Sequence, residues 1–185
     1  AVLVHGAGGG VGSATLDLLR HRAAPAIAVV SDDEKAEVAR ACGADAVLRV
    51  SELWVERVRE LTNGLGVDVV VDPVGGDRFT DSLRSLDVGG RLMVVGFASG
   101  TIPEVKANRV LLRDLAVMGV ALEPWEQRFP GVSYQLCEAL ETLASDKRVT
   151  PYIGHRLPFD RAAEALGILD RREAMGKVVV EVAGS

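Results

Sequence analysis

The sequence predicts an α/β chain built on a doubly wound parallel sheet, and three observations predict it. Short apolar runs of Val, Leu, Ile and Ala recur along the chain, and stretches whose apolar residues fall at helical spacing separate them. The connections are short and carry Gly, Asp, Asn and Pro, the residues that stop strands and helices. The hydrophobic fraction is 48% but aromatics are only 4%, so the core is aliphatic, which suits strands covered by helices on both faces.

Taken in order, residues 2–4 form the first strand. A glycine-crowded turn follows, VLVHGAGGGVG over residues 2–12, and then a helix on which Val11, Ala14, Thr15, Leu18 and Leu19 share a face. Residues 26–30 make the second strand and 33–41 a helix stopped by Gly43. The third strand is 46–48. The helix after it, 53–62, places Trp54, Val58 and Leu61 together and ends at Asn63, Gly64 and Gly66. Residues 67–71 form the fourth strand, closed by Asp72 and Pro73, and Asp77 is positioned to cap a helix with Phe79, Leu83 and Leu86 inward. Gly89 and Gly90 lead into the fifth strand, 92–95. Strict alternation stops here. A polar loop, 98–108, precedes the sixth strand, 115–121, with no helix of ordinary length between them. A helix then spans 131–144, residues 151–158 are irregular, Asp160 caps a last helix, and 177–182 is a terminal strand. Six parallel strands with helices on both faces make a Rossmann fold, with the ligand across the carboxyl ends of the strands.

The glycine turn lies where a strand passes into a helix, a place where backbone N–H groups and the positive end of the helix dipole converge on an anion. The spelling G-x-G-x-x-G is absent. Read at positions 7, 9 and 12 it gives Ala7, Gly9 and Gly12, which keeps Gly9 where a pyrophosphate must approach and Gly12 where helix must pack on strand. Gly8, Gly10 and Val11 complete this candidate site. The end of the second strand bears on the ribose. If that strand stops at Val30, the discriminating position is apolar, and Ser31 and Lys35 can meet a 2′-phosphate. If it runs two residues longer, Asp32 accepts the ribose hydroxyls. A third possibility is that Asp32, Asp33 and Glu34 simply open a helix. Val74, in the stretch 72–75 after the fourth strand, lies at the same end of the sheet, and Gly96, Phe97, Ala98 and Ser99, after the fifth, face the nicotinamide end of such a ligand.

Other functions find little support. A net charge of −5 with no basic cluster argues against nucleic acid, and no apolar run is long enough to span a membrane. Cys42 and Cys137 fit neither a disulfide framework nor a metal knuckle, and His5, His21 and His155 are not spaced as metal ligands. His5, closing a buried strand, reads as a hydrogen-bonded structural histidine. The chain opens directly on its first strand, which reads as a piece of a longer polypeptide.

The segments VLVHGAGGGVGSA, SDDEKAEVARACGAD, VDVVVDPVGGDRF, LDVGGRLMVVGFASG and GKVVVEV, in that order, resemble the cofactor domain of medium-chain dehydrogenases/reductases, specifically the zinc-independent quinone oxidoreductase branch. The resemblance spans essentially all of residues 1–185. It places Val30, with Ser31 next, at the position that selects the cofactor, and implies NADPH, with Lys35 near the adenosine ribose. Asp32 and Asp33 depart from the branch in charge, and Val50 stands where many members have a Tyr. The implied activity is hydride transfer from NADPH to a quinone or an activated alkene or ketone. A zinc-dependent alcohol dehydrogenase domain and a non-catalytic dinucleotide sensor are the alternatives. The resemblance further implies an absent N-terminal catalytic domain that binds the small-molecule substrate, with 150–185 returning toward it and the isolated piece inactive. It also implies a homodimer through the sixth strand, while the two widely separated cysteines, Cys42 and Cys137, read as small buried side chains of a reducing cytoplasm.

Overall fold

The computed structural model describes residues 1–182; positions 183–185, assigned above to the same domain, lie outside the described residues. Eight strands and eight helices follow one another as β1 Val2–His5, α1 Gly10–His21, β2 Ala26–Val30, α2 Asp33–Ala41, β3 Ala46–Arg49, α3 Trp54–Leu61, β4 Val67–Asp72, α4 Phe79–Ser85 and β5 Leu86–Val94. The remainder are α5 Ala107–Leu111, β6 Ala116–Gly119, α6 Leu122–Arg128, α7 Val132–Ser145, β7 Ile153–Pro158, α8 Ala162–Asp170 and β8 Lys177–Glu181. Six strands form one parallel sheet in the order β3-β2-β1-β4-β5-β6, the doubly wound arrangement expected above.

The period-2 alternation of the strands divides the core in two. Leu3, Ile27, Val29, Val70 and Leu92 pack against Trp54, Val58, Phe79 and Leu83 of α3 and α4. Val4, Ala26, Ala28 and Val30 point the other way, onto Leu16, Ala36, Val38 and Ala39 of α1 and α2. The order reverses between β1 and β4, so the crevice at their carboxyl ends opens between the β1 turn and the β4 turn.

Four local expectations are corrected. Residues 153–158 are not irregular: they alternate outward and inward side chains and form β7, paired in parallel with β8 as a separate two-stranded sheet. Pro151 and Pro158 masked that period. Asp77 does not cap α4; it lies inside a single 3₁₀ turn, Gly76–Arg78, and α4 begins at Phe79 without a side-chain cap. Leu86 belongs to β5, which starts six residues before the expected Leu92: Leu86 already pairs with Val67, and the register then jumps to Arg91 opposite Val69, with Gly89 at φ +76° in the bulged stretch. Residues 122–128 form α6, which the proline at 124 concealed although Pro is tolerated in a first turn. Glu126 of α6 accepts the backbone N–H groups of Gly131 and Ser133, each at 2.8 Å, and so caps α7 in place of a local side chain. These bonds hold its carboxyl below the usual glutamate range.

The apolar face expected on α7 exists but is uncovered. None of its residues is buried, and Leu136 and Leu140 are exposed. By contrast the 150–177 segment is tied firmly to the main sheet. Asp17 of α1, itself buried, pairs with Arg20 and accepts the N–H of Thr150 at 2.6 Å, and Gly176 donates to Gly8 O at 2.8 Å.

Candidate functional site

The turn after β1 is shaped by two glycines, Gly6 and Gly12, that no other residue could replace without strain or overlap. Gly6 sits at φ +57°, and a Cβ on Gly12 would lie 2.3 Å from Gly6 O. Gly9 takes an extended conformation, donates its N–H to Gly6 O at 2.9 Å and caps α1. No side chain caps α1, and its first turn holds no acidic residue, so the first N–H groups of the helix face open space with the positive end of the dipole behind them. The start of α2 is the opposite case. Asp32 accepts the N–H of Lys35 at 2.9 Å, and Asp33 and Glu34 follow in the first turn. Of the two helix starts beside the crevice, only that of α1 is receptive to an anion.

Between them lies a half-open, mostly apolar cleft of about 380 Å³. Gly8, Gly9, Gly10, Val11 and Gly12 line it at the turn, Ser31 and Lys35 beyond β2, and Val74 and Ala98 beyond β4 and β5. Nine of the eleven candidate residues are thus brought to one cavity. Gly96 and Phe97 are not among the lining residues: the loop they begin is fastened to the β4 turn by Ala98 N–H to Pro73 O (3.1 Å) and Ser99 N–H to Val74 O (2.9 Å), and Phe97 rests against Gly75. A larger hollow of about 620 Å³ under Val105, Val110 and Leu115 lies at the sheet edge, away from the glycine turn.

β2 ends at Val30, so the discriminating position is apolar and Asp32 is a helix cap. Burial pulls the Asp32 carboxyl up, but hydrogen bonds from Ser31, from the Lys35 backbone and from the Lys35 ammonium outweigh it and hold the group below the usual range. Lys35 Nζ lies 3.1 Å from Asp32 and 3.2 Å from Ser31 Oγ, and donates to Arg172 O at 3.1 Å. Arg172 donates in turn to Ser99 O at 3.2 Å. Arg172 and Ala174 therefore close the cleft from the far end of the chain. Sequence reasoning missed both, along with Arg78, because nothing local in the α8–β8 link marks it as a cleft wall; Pro73 and Ser99, in the turns already expected at the carboxyl ends of the strands, line the cleft too.

Under the cleft floor His5 is fully buried, with Nε2 2.8 Å from Ser82 Oγ. Burial drives its pKa down to about 4; the Asp72 carboxylate opposes this and Arg78 adds to it. An unfolded chain binds a proton at this imidazole below its ordinary value of 6.5, and the native state does not. This contribution to stability, up to about 3 kcal/mol, is therefore complete above pH 6.5 and lost as pH falls toward 4. Urea unfolding is expected to show a steeper loss across that window in the native protein than in His5→Gln; identical slopes would overturn it.

A Rossmann domain whose uncapped glycine turn opens on a cleft bordered by Lys35 and Arg172 is the class that fold and cleft define together. Comparison with known proteins narrows it. Residues 10–138 match the family model described as zinc-binding dehydrogenase. Quinone oxidoreductase-like protein 2 of Bos taurus is 37% identical over 184 residues, which is 98% of this chain and 52% of the relative. A mycobacterial protein complexed with NADPH superposes with a TM-score of 0.85 at 34% identity, covering 98% of this chain and 56% of that one. The quinone oxidoreductase of Escherichia coli, also complexed with NADPH, gives 0.84 at 29% identity over 98% and 56%. The chain belongs to the zinc-binding dehydrogenase family of medium-chain dehydrogenases/reductases, and its relatives fall in the quinone oxidoreductase branch. It spans about half the length of the curated relatives it matches.

The family's name implies zinc, and the residues do not fit it: among those described, no group of three His, Cys, Asp or Glu is placed to hold a metal. A dinucleotide does fit, because the cradle over Gly8–Gly12 is kept open by glycines and its N–H groups have no side-chain acceptor. Among the described residues no helix is long and apolar enough to cross a membrane.

Proposed function

We propose that this chain is the cofactor-binding domain of an NADPH-dependent oxidoreductase that reduces a quinone or an activated alkene or ketone. The observation that carries the reading is the contrast at the cleft: an uncapped helix start on one side, and Ser31, Lys35 and Arg172 in place of an acidic ribose acceptor on the other. Gly8, Gly9, Gly10, Val11 and Gly12 hold the pyrophosphate through backbone N–H groups. Ser31, Lys35 and Arg172 meet the 2′-phosphate. Val74 and Ala98 border the nicotinamide, with Gly96 and Phe97 supporting the loop behind them. NADPH supplies the hydride; the chain's own part is to bind and orient it. Substrate binding belongs to a catalytic domain outside this sequence, so this chain alone should show no turnover.

Two further readings accompany this one. The outer edge of β6 exposes Met118, with Val120 exposed just beyond it, and among the described residues pairs only with β5, which supports a homodimer joined through that strand. Both cysteines are free, which supports a reducing compartment, the cytoplasm.

Titration of the chain with NADPH and NADH, followed by nicotinamide fluorescence, is expected to show NADPH bound about 10-fold more tightly or better, since one charge-assisted hydrogen bond to the 2′-phosphate contributes about 1.5–3 kcal/mol. Tighter binding of NADH would overturn the assignment.

A further inference from the structure

His5 is the feature of the glycine-turn motif that contacts with a dinucleotide leave unused. It closes β1 one residue before the turn and is fully buried, as is Ser82 of α4 beside it. The Ser82 hydroxyl lies 3.0 Å from Arg78 O and 2.8 Å from His5 Nε2. His5 Nδ1 has no partner, so the arrangement that leaves no buried N–H unpaired carries the imidazole proton on Nε2, donates it to Ser82 Oγ and lets the hydroxyl donate to Arg78 O. The edge-on ring of Trp54, with centroids 5.1 Å apart, fixes the imidazole from another side.

This bond joins two walls of the cleft. On one side it ends at β1, whose next residues are the phosphate turn. On the other, through Ser82, it holds the backbone of Arg78, whose side chain lines the cleft opposite that turn. Asp72 works beside it. The β1–β4 register sets Val4 against Val71, which makes His5 and Asp72 the following pair. Asp72 Oδ1 accepts the N–H groups of Val74 and Gly75 at 2.8 and 2.9 Å, fixing the turn that carries Pro73 and Val74 into the cleft. An aliphatic side chain at position 5 would fill the same core space without desolvating an imidazole. What it could not do is specify one relative placement of the two turns, which is what a directional buried hydrogen bond does.

We infer that His5 is a positioning residue for nucleotide binding: through Ser82 and the Arg78 backbone it sets the spacing between the phosphate turn and the α4 wall. The inference rests on the dinucleotide reading above. The bond lies away from the Ser31–Lys35 end, so its loss weakens NADPH and NADH by the same factor and leaves their ratio unchanged.

The test uses His5→Leu, Ser82→Ala, the double variant and His5→Gln, which keeps an N–H near the position of Nε2. Each is titrated with NADPH and NADH well below its melting temperature. Loss of the bond is expected to weaken both nucleotides about 10-fold in either single variant, equivalent to about 1.4 kcal/mol. The double variant should be no weaker than the singles, and His5→Gln should stay within about 3-fold of the native chain. A merely structural histidine would lower the melting temperature and leave both dissociation constants unchanged, and that result overturns the inference. So does a changed NADPH-to-NADH ratio. If His5→Leu does not fold, Ser82→Ala and His5→Gln decide the matter by the same criteria. A native chain that binds neither nucleotide overturns the cofactor reading and this inference with it, and is recognised before any substitution is made.

Discussion

Gly12→Val is expected to leave no folded protein at room temperature, whereas Gly9→Val keeps the fold and loses the nucleotide. The two glycines differ in what a side chain would meet. A Cβ at position 12 would stand 2.3 Å from Gly6 O and 2.6 Å from Ala7 Cα, and both are backbone atoms of the turn that joins β1 to α1. They cannot move aside without lifting α1 from the sheet. That opens the core around Leu16, Val4 and Ala28. Overpacking of side chains costs about 1–3 kcal/mol; a clash confined to backbone exceeds this, against a total stability of about 5–15 kcal/mol. At position 9 the nearest atom to a Cβ is Gly6 O at 3.3 Å, and φ is −89°, which any residue adopts. Valine there fits the backbone but stands over the N–H groups that face the cleft. Thermal melts by circular dichroism should place Gly9→Val within a few degrees of the native chain and show no cooperative transition for Gly12→Val. Fluorescence titration should show no NADPH binding by Gly9→Val. Native-like affinity in Gly9→Val would remove the turn from the site.

The contrast between the two glycines also shows which parts of the molecule the sequence could reveal. Close approach and strand-to-helix passage are local, and a turn containing Gly6, Gly9 and Gly12 announces them whatever its spelling. The first four β–α units were readable for the same reason: each carries its own period and its own stop. Reading failed where structure depends on distant partners. β7 exists because β8 lies beside it, and its sequence, with prolines at both ends, states only half of that pair. The start of α7 is capped by Glu126 from another helix. Arg172 reaches the cleft because Gly176 is bonded to Gly8 and Lys35 to Arg172 O, contacts that span more than a hundred residues. His5 was correctly read as a hydrogen-bonded residue, but its partner, Ser82, carries no mark in the sequence.

Lys35→Met is expected to cost the chain its preference for NADPH while leaving NADH binding within about 3-fold. The substitution is chosen to keep the stem of the side chain, because Lys35 Cβ lies where a Cβ on Gly8 would fall and so supports the phosphate turn. Only the ammonium is lost. Its removal acts twice on a 2′-phosphate: one charge-assisted partner disappears, and Asp32, which the ammonium pairs at 3.1 Å, is left ionised and uncompensated nearby. The remaining bonds from Ser31 and the Lys35 backbone still hold the Asp32 carboxyl in its charged form. Together these effects should weaken NADPH about 100-fold, toward the upper end of the about 1.5–3 kcal/mol that a single charged hydrogen bond contributes. Stability should barely change, since an exposed ion pair contributes about 0–1 kcal/mol. Asp32→Asn separates the two effects: in the Lys35→Met background it should recover part of the lost NADPH affinity by removing the repulsion, and have no such effect on NADH. Equal weakening of both nucleotides by Lys35→Met would mean that Lys35 acts through the Gly8 turn rather than on the phosphate, and the specificity would then rest on Ser31 and Arg172 alone.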